Sequence, residues 1–110
     1  MPNKHAKDEL LFVVMTPLGF YVRVTHNYWE FITSVKHPVM AGCDRKVKET
    51  LTNPEEIRRS KTDPNVYLFY RSEDKTRWIC AVAKQLGRDG FLITTYPTDS
   101  IKEGEHIWPK

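Results

Sequence analysis

Cysteine is scarce in this chain: two in 110 residues, Cys43 and Cys80. That count does not fit a small secreted scaffold held by disulfides. Cys80 sits in an apolar run and reads as a small buried residue; Cys43 lies in a polar connection. Glycine numbers five and never clusters, so there is no glycine-rich phosphate loop. No run approaches the roughly 18 apolar residues of a membrane span. The opening MPNKHAKDELLFVVM puts an acidic pair before a short apolar run and has no small-residue cleavage site, so it does not read as a secretion signal. Reduced thiols and a cytoplasmic location are expected. No paired-cysteine motif and no His–Glu helix motif occur, and His5, His26, His37 and His106 have no metal-site spacing. A Cys80 nucleophile would lack the polar setting a thiolate needs. Neither a metal nor another cofactor is expected.

What the chain does have is a run of strands. Val66–Tyr96 holds three segments rich in Val, Ile, Tyr, Phe and Trp, parted by polar turns at Ser72–Thr76 and Gly87–Gly90. The middle segment, Trp78–Lys84, is almost continuously apolar and suits a central strand covered on both faces. Alternation in the last segment puts Leu92, Thr94 and Tyr96 on one face and Phe91, Ile93 and Thr95 on the other. Earlier, Leu10–Met15 and Phe20–Val24 flank the turn Thr16-Pro17-Leu18-Gly19 and suit a hairpin.

Two helices should lie between these strand groups. Tyr28, Phe31, Ile32 and Val35 form an i, i+3, i+4, i+7 stripe, with Asn27 as the expected N-cap, Glu30 three residues on, and Pro38 as the stop. Asp44 should open the second helix, with Val47 and Leu51 inward and Asn53-Pro54 ending it. Glu55–Ser60 has one apolar residue, Ile57, and is at best an edge strand. Ile101–Lys110 reads as a polar tail docked by Ile107 and Trp108. Residues 1–110 make one domain, with 1–9 expected to be a flexible N-terminus. The expected fold is α+β: an antiparallel β-sheet of four to five strands with two helices from the N-terminal half on one face.

Net charge is +3, and its excess is concentrated. From Lys36 to Lys61 there are seven Lys or Arg against four Asp or Glu, which equals the excess of the whole chain. Such a cluster is most often a solvated helix face; the sharper reading is a phosphate-facing surface. His37 ends the first helix, where the helix dipole favours an imidazolium. It is either a helix-end residue satisfying carbonyls or a proton-transfer group. Arg58 and Ser60 share a face if their segment is extended, and Arg77 opens the central strand. Arginine can grip phosphate with two hydrogen bonds, although most surface arginines do no such thing. Thr94 and Tyr96 end the last strand with hydroxyls.

The order of the pieces resembles a known group. Lys36-His37-Pro38 follows an apolar helix; then come Asn53-Pro54-Glu55-Glu56-Ile57-Arg58-Arg59-Ser60, Asp63-Pro64-Asn65-Val66-Tyr67-Leu68-Phe69-Tyr70, Gly90-Phe91-Leu92-Ile93-Thr94-Thr95-Tyr96, and Lys102-Glu103-Gly104-Glu105 with Ile107-Trp108. Over roughly Phe20 to Trp108 this is similar to the phage- and bacteria-associated members of the barnase/EndoU/colicin/RelE-like ribonuclease superfamily. The resemblance implies a metal-independent endoribonuclease, with RNA as partner and the site on the helix-free face of the sheet. Carried over by position, it implies a site of His37, Arg58, Ser60, Thr94 and Tyr96, with Arg77 a looser match. It also implies an antitoxin or immunity protein as a second partner. A non-catalytic RNA- or protein-binding module on the same scaffold is the alternative.

Overall fold

The structure is a computed structural model and describes residues 9–110. The expectation of a flexible segment 1–9 lies, Glu9 apart, outside the described residues. Seven strands form one sheet: β1 (Leu10–Met15), β2 (Tyr21–Thr25), β3 (Glu56–Arg59), β4 (Val66–Asp74), β5 (Arg77–Leu86), β6 (Asp89–Thr98) and β7 (Glu105–Trp108). Their order across the sheet is β1-β2-β6-β5-β4-β3-β7. Every pairing is antiparallel except β2 with β6, which is parallel and rests on the single register pair Arg23–Phe91.

This corrects the expectation of four to five antiparallel strands. The N-terminal hairpin joins the same sheet through β2, which makes the sheet mixed. The expected polar tail contains β7, and the weak segment before it contains β3. Both are short and polar, EIRR and EHIW. A strand near a sheet margin packs little apolar surface, so its composition carries little of the usual signal.

The helices are short. α1 (His26–Phe31) starts with Thr25, whose hydroxyl accepts from the Tyr28 N–H at 3.0 Å. Thr25 is the cap, two residues before the expected Asn27, because its extended backbone (φ −86°, ψ 159°) lets the hydroxyl reach back. α1 then widens into a π turn, Ile32–Lys36, closed by the His37 N–H on the Ile32 carbonyl at 2.7 Å. The wider turn breaks the expected stripe: Ile32 is fully buried, while Val35 is 66% exposed. A 3-10 turn, Pro38–Met40, leads to α2 (Asp44–Thr52), which buries Val47, Thr50 and Leu51.

Both helices pack on one face of the sheet. Ile32, Met40, Val47 and Leu51 meet Phe12, Phe20, Val22, Ile57, Phe69, Ala81 and Leu92 there. Phe20 is fully buried beside Tyr67 and Phe69, at ring separations of 5.7 and 6.2 Å. Gly90 makes room for it, since a Cβ at that position would meet the Lys84 carbonyl at 2.5 Å and Phe20 at 3.0 Å. The opposite face carries a second, smaller cluster of Leu68, Tyr70 and Cys80, with Trp78, Val82, Tyr96 and Ile101 against it. Ile101 belongs to the connection from β6 to β7. That connection must pass over β5, β4 and β3, and it does so across this helix-free face. Among the described residues, no helix is long and apolar enough to cross a membrane.

Candidate functional site: a cleft on the helix-free face

Register fixes what the helix-free face presents, because directly paired residues share a face. One row runs Glu56, Tyr70, Cys80, Tyr96; the next runs His106, Arg58, Leu68, Val82, Thr94. Each row is apolar in the middle and polar at its ends.

Thr94 and Tyr96 reach this face because β6 is bulged. Val82 pairs with Thr94 but Ala83 pairs with Leu92, so Ile93 is an extra residue. Leu92 therefore points into the helix-side core, at 1% exposure, and does not share the face of Thr94 and Tyr96 as simple alternation predicted. The bulge also has a partner: the Tyr28 hydroxyl donates to the Ile93 carbonyl at 2.7 Å, tying α1 to β6.

β2 pairs with β6 only near Phe91, so among the described residues the later half of β6 has no strand on that side. The end of the π turn comes round there. The His37 ring packs on Tyr96, with centroids 5.4 Å apart and planes at 41°. Tyr96 in turn lines a cleft of about 400 Å³. Its floor is Val66, Leu68 and Val82; one wall is Ser60, Lys61 and Thr62; its roof is Lys102, Glu103 and Gly104 from the β6–β7 connection. Among the described residues, neither Lys61 nor Lys102 is in an ion pair. Ser60 and Thr62 bond each other at 3.1 Å, and the Thr62 N–H donates to Ser60 Oγ, which shapes the wall.

Of the expected residues, Tyr96 and Ser60 line one cleft, and His37 packs on Tyr96 without lining it. Arg58 shares the face but stands on β3, three strand spacings from Tyr96, about 14 Å at about 4.8 Å per spacing. Its guanidinium is engaged: Nε donates to Glu56 at 2.7 Å and Nη1 to the Gly104 carbonyl at 3.3 Å. Arg77 lies at the exposed β4–β5 turn opposite Asp74, three residues along β5 from the partner of Tyr96. Thr94 lies beside Tyr96, and its hydroxyl oxygen is buried with no hydrogen-bond partner.

The thiol and phenols on this face are not nucleophiles. Burial pushes the Cys80 thiol up to about 12. Burial, then Cys80 and the charge of Glu103, raise the Tyr96 phenol well above its ordinary value, so it stays a neutral hydroxyl. Glu103 is the one carboxylate in the cleft lining.

Two features escape a reading of the sequence. The first is the roof, since Lys102 and Glu103 enter the cleft only because their connection crosses the sheet. The second is a cluster beside it: Glu56 Oε2 accepts from Arg58 Nε and from His106 Nδ1 at 2.9 Å. Glu56 and His106 are fifty residues apart and meet only through the β3–β7 pairing. The period-two spacing of Glu56 and Arg58 was the only signal of this cluster within the sequence.

The basic excess of residues 36–61 does not form one surface. Lys46 pairs with Glu73, Arg58 with Glu56, and Arg59 lies over the Tyr67 ring on the helix side of the sheet. Lys48 covers Phe12, and Lys36 covers Tyr28 and Phe31. Only Lys61 of this group lines the cleft. Among the described residues, no three His, Cys, Asp or Glu side chains are grouped to hold a metal ion. Comparison with family models, with curated proteins and with solved structures finds no match for this chain.

Proposed function

We propose that the cleft binds a single strand of RNA and cleaves it without a metal ion. The carrying observation is the packing of His37 on Tyr96 at a cleft that also presents Ser60, Lys61, Lys102 and Glu103. The reaction is attack of a ribose 2′-hydroxyl on the adjacent phosphorus. The O2′–P bond forms, the P–O5′ bond breaks, and a 2′,3′-cyclic phosphate remains. One group must take the 2′-proton and another must protonate the departing 5′-oxygen. His37, packed on Tyr96, and Glu103, in the cleft roof, are the two groups assigned to that exchange. Lys61 and Lys102 stabilise the charge that builds on the phosphorane, the role expected of Arg58 and Arg77 from the sequence. Tyr96 offers a ring for base packing and a neutral hydroxyl as donor. In the cytoplasm such an activity would suit the toxin of a toxin–antitoxin pair, with the antitoxin covering the cleft.

The test is cleavage of a mixed single-stranded RNA pool in excess chelator. Wild-type protein is expected to produce cyclic-phosphate ends. His37→Ala is expected to lower the rate by about 10²-fold or more while keeping the fold. Full activity in that variant would remove His37 from the chemistry.

A second reading, a binding module without turnover, has one observation in its favour: Arg58 is committed to Glu56 and Gly104. It predicts RNA retention with no cyclic-phosphate product in the same assay.

A further inference from the structure

The two outer strands of the sheet are guarded very differently. β7 carries Glu105 and His106 and runs into Pro109, which are the usual blocks to edge-to-edge pairing. β1 reads LLFVVM, with no charge and no proline. Among the described residues no strand lies beyond it. A bulge between Leu10 and Phe12 disturbs only its first half. The hairpin bond from the Thr16 N–H to the Phe20 carbonyl, with Val14 opposite Val22, fixes which residues face β2. Val13 and Met15 are out of phase with these, so their main-chain N–H and C=O groups point away from the sheet. Their side chains stand on the helix-free face, 46% and 42% exposed, beside Tyr21 at 44%.

We propose that β1 is a strand-pairing surface for a second copy of this chain, the two β1 strands running antiparallel about a two-fold axis at Val13. An edge of open main-chain donors and acceptors calls for a strand as partner. Self-pairing at Val13 sets Val13 against Val13 and Met15 against Leu11, so no charged residue faces its copy. Glu9, the nearest charge in the strand direction, falls opposite Pro17. The pairing consumes both unguarded edges and leaves a guarded β7 at each end, so assembly closes at two. The row through the axis then reads Arg23, Val13, Val13, Arg23, apolar at its centre and charged at its ends.

Two measurements test this. Light scattering on the wild-type chain is expected to give about twice the 12.9 kDa chain mass. A monomer mass up to about 100 µM would overturn the proposal. The second measurement is a cross-link in a Cys43→Ser background, where the remaining Cys80 is fully buried. Val13→Cys places two cysteines across the axis with Cα atoms about 5.5 Å apart, within disulfide range. Mild oxidation is expected to yield a covalent dimer at least tenfold faster than with Val35→Cys, an exposed control off the strand. Equal rates at the two positions would refute the two-fold arrangement.

Discussion

At the scale of single residues, His106 is held through both of its ring nitrogens. Nδ1 lies 2.9 Å from the Glu56 carboxylate and Nε2 lies 2.6 Å from the Pro109 carbonyl. Both partners accept when Glu56 is ionised, so the arrangement favours the imidazolium, which donates from both ring nitrogens. Its pKa is accordingly raised above the ordinary 6.5 by Glu56 and by the carbonyl, with Arg58 opposing. Burial works against the Glu56 carboxylate, but the bonds from His106 and Arg58 outweigh it and hold the pKa below the ordinary 4.5. The two signs differ. The His106 contribution is complete below about 6.5 and is lost as pH rises through the raised value. The Glu56 contribution is present above about 4.5 and is lost as pH falls through the lowered one. The urea midpoint is therefore expected to be highest between these values and to fall on the alkaline side. His106→Gln should remove the alkaline fall; an equal fall in that variant would assign it to another group. Parts of this site were legible in the residues themselves. The shared face of Thr94 and Tyr96 followed from alternation, and a buried Cys80 followed from its apolar run. The Glu56–His106 contact was not legible, because strand pairing across fifty positions leaves no local pattern.

At the scale of elements, three irregularities place the site. The π turn brings His37 round the open side of β6. The Ile93 bulge keeps Leu92 in the core while Tyr96 lines the cleft and Thr94 shares its face. The β6–β7 connection carries the roof. The sequence could not announce the bulge: Leu-Ile-Thr-Thr-Tyr alternates acceptably without one, and Tyr28, which holds the bulged carbonyl, lies sixty-five positions away. The long strands were readable because β4, β5 and β6 are central and rich in branched and aromatic residues. β7 was not, because its Glu105 and His106 serve an edge. The roof turns on Gly104, whose φ is +82° and whose added Cβ would meet the Arg59 carbonyl at 2.7 Å. Gly104→Ala is expected to cost about 1–3 kcal/mol in chemical denaturation. The same variant should weaken RNA retention, since Lys102 and Glu103 would lift with the backbone. Unchanged retention in a destabilised variant would separate the roof from the ligand.

At the scale of the whole molecule, charge is spread. The excess that looked concentrated in sequence is distributed over ring faces, ion pairs and both sides of the sheet. Only Lys61 and Lys102 face the cleft unpaired. RNA affinity is therefore expected to depend on salt only modestly. Two phosphate contacts on a single strand give a log–log slope of about −1.4, from about −0.7 per contact. A slope several times steeper would mean that the strand follows another surface. The same view gives meaning to the lone β2–β6 register pair. The hairpin is also tied to the far strands by the Tyr21 N–H on the Arg88 carbonyl, by Arg23 on Asp89 and by the core around Phe20. The sheet is thus a two-strand hairpin and a five-strand part joined by one register pair and one shared core. In a β1-linked pair the two hairpins lie side by side at the centre and each cleft lies in an outer five-strand part. The two-fold axis stands perpendicular to the sheet, so both clefts open on the same face of one continuous sheet, and a single RNA long enough to span it would meet both.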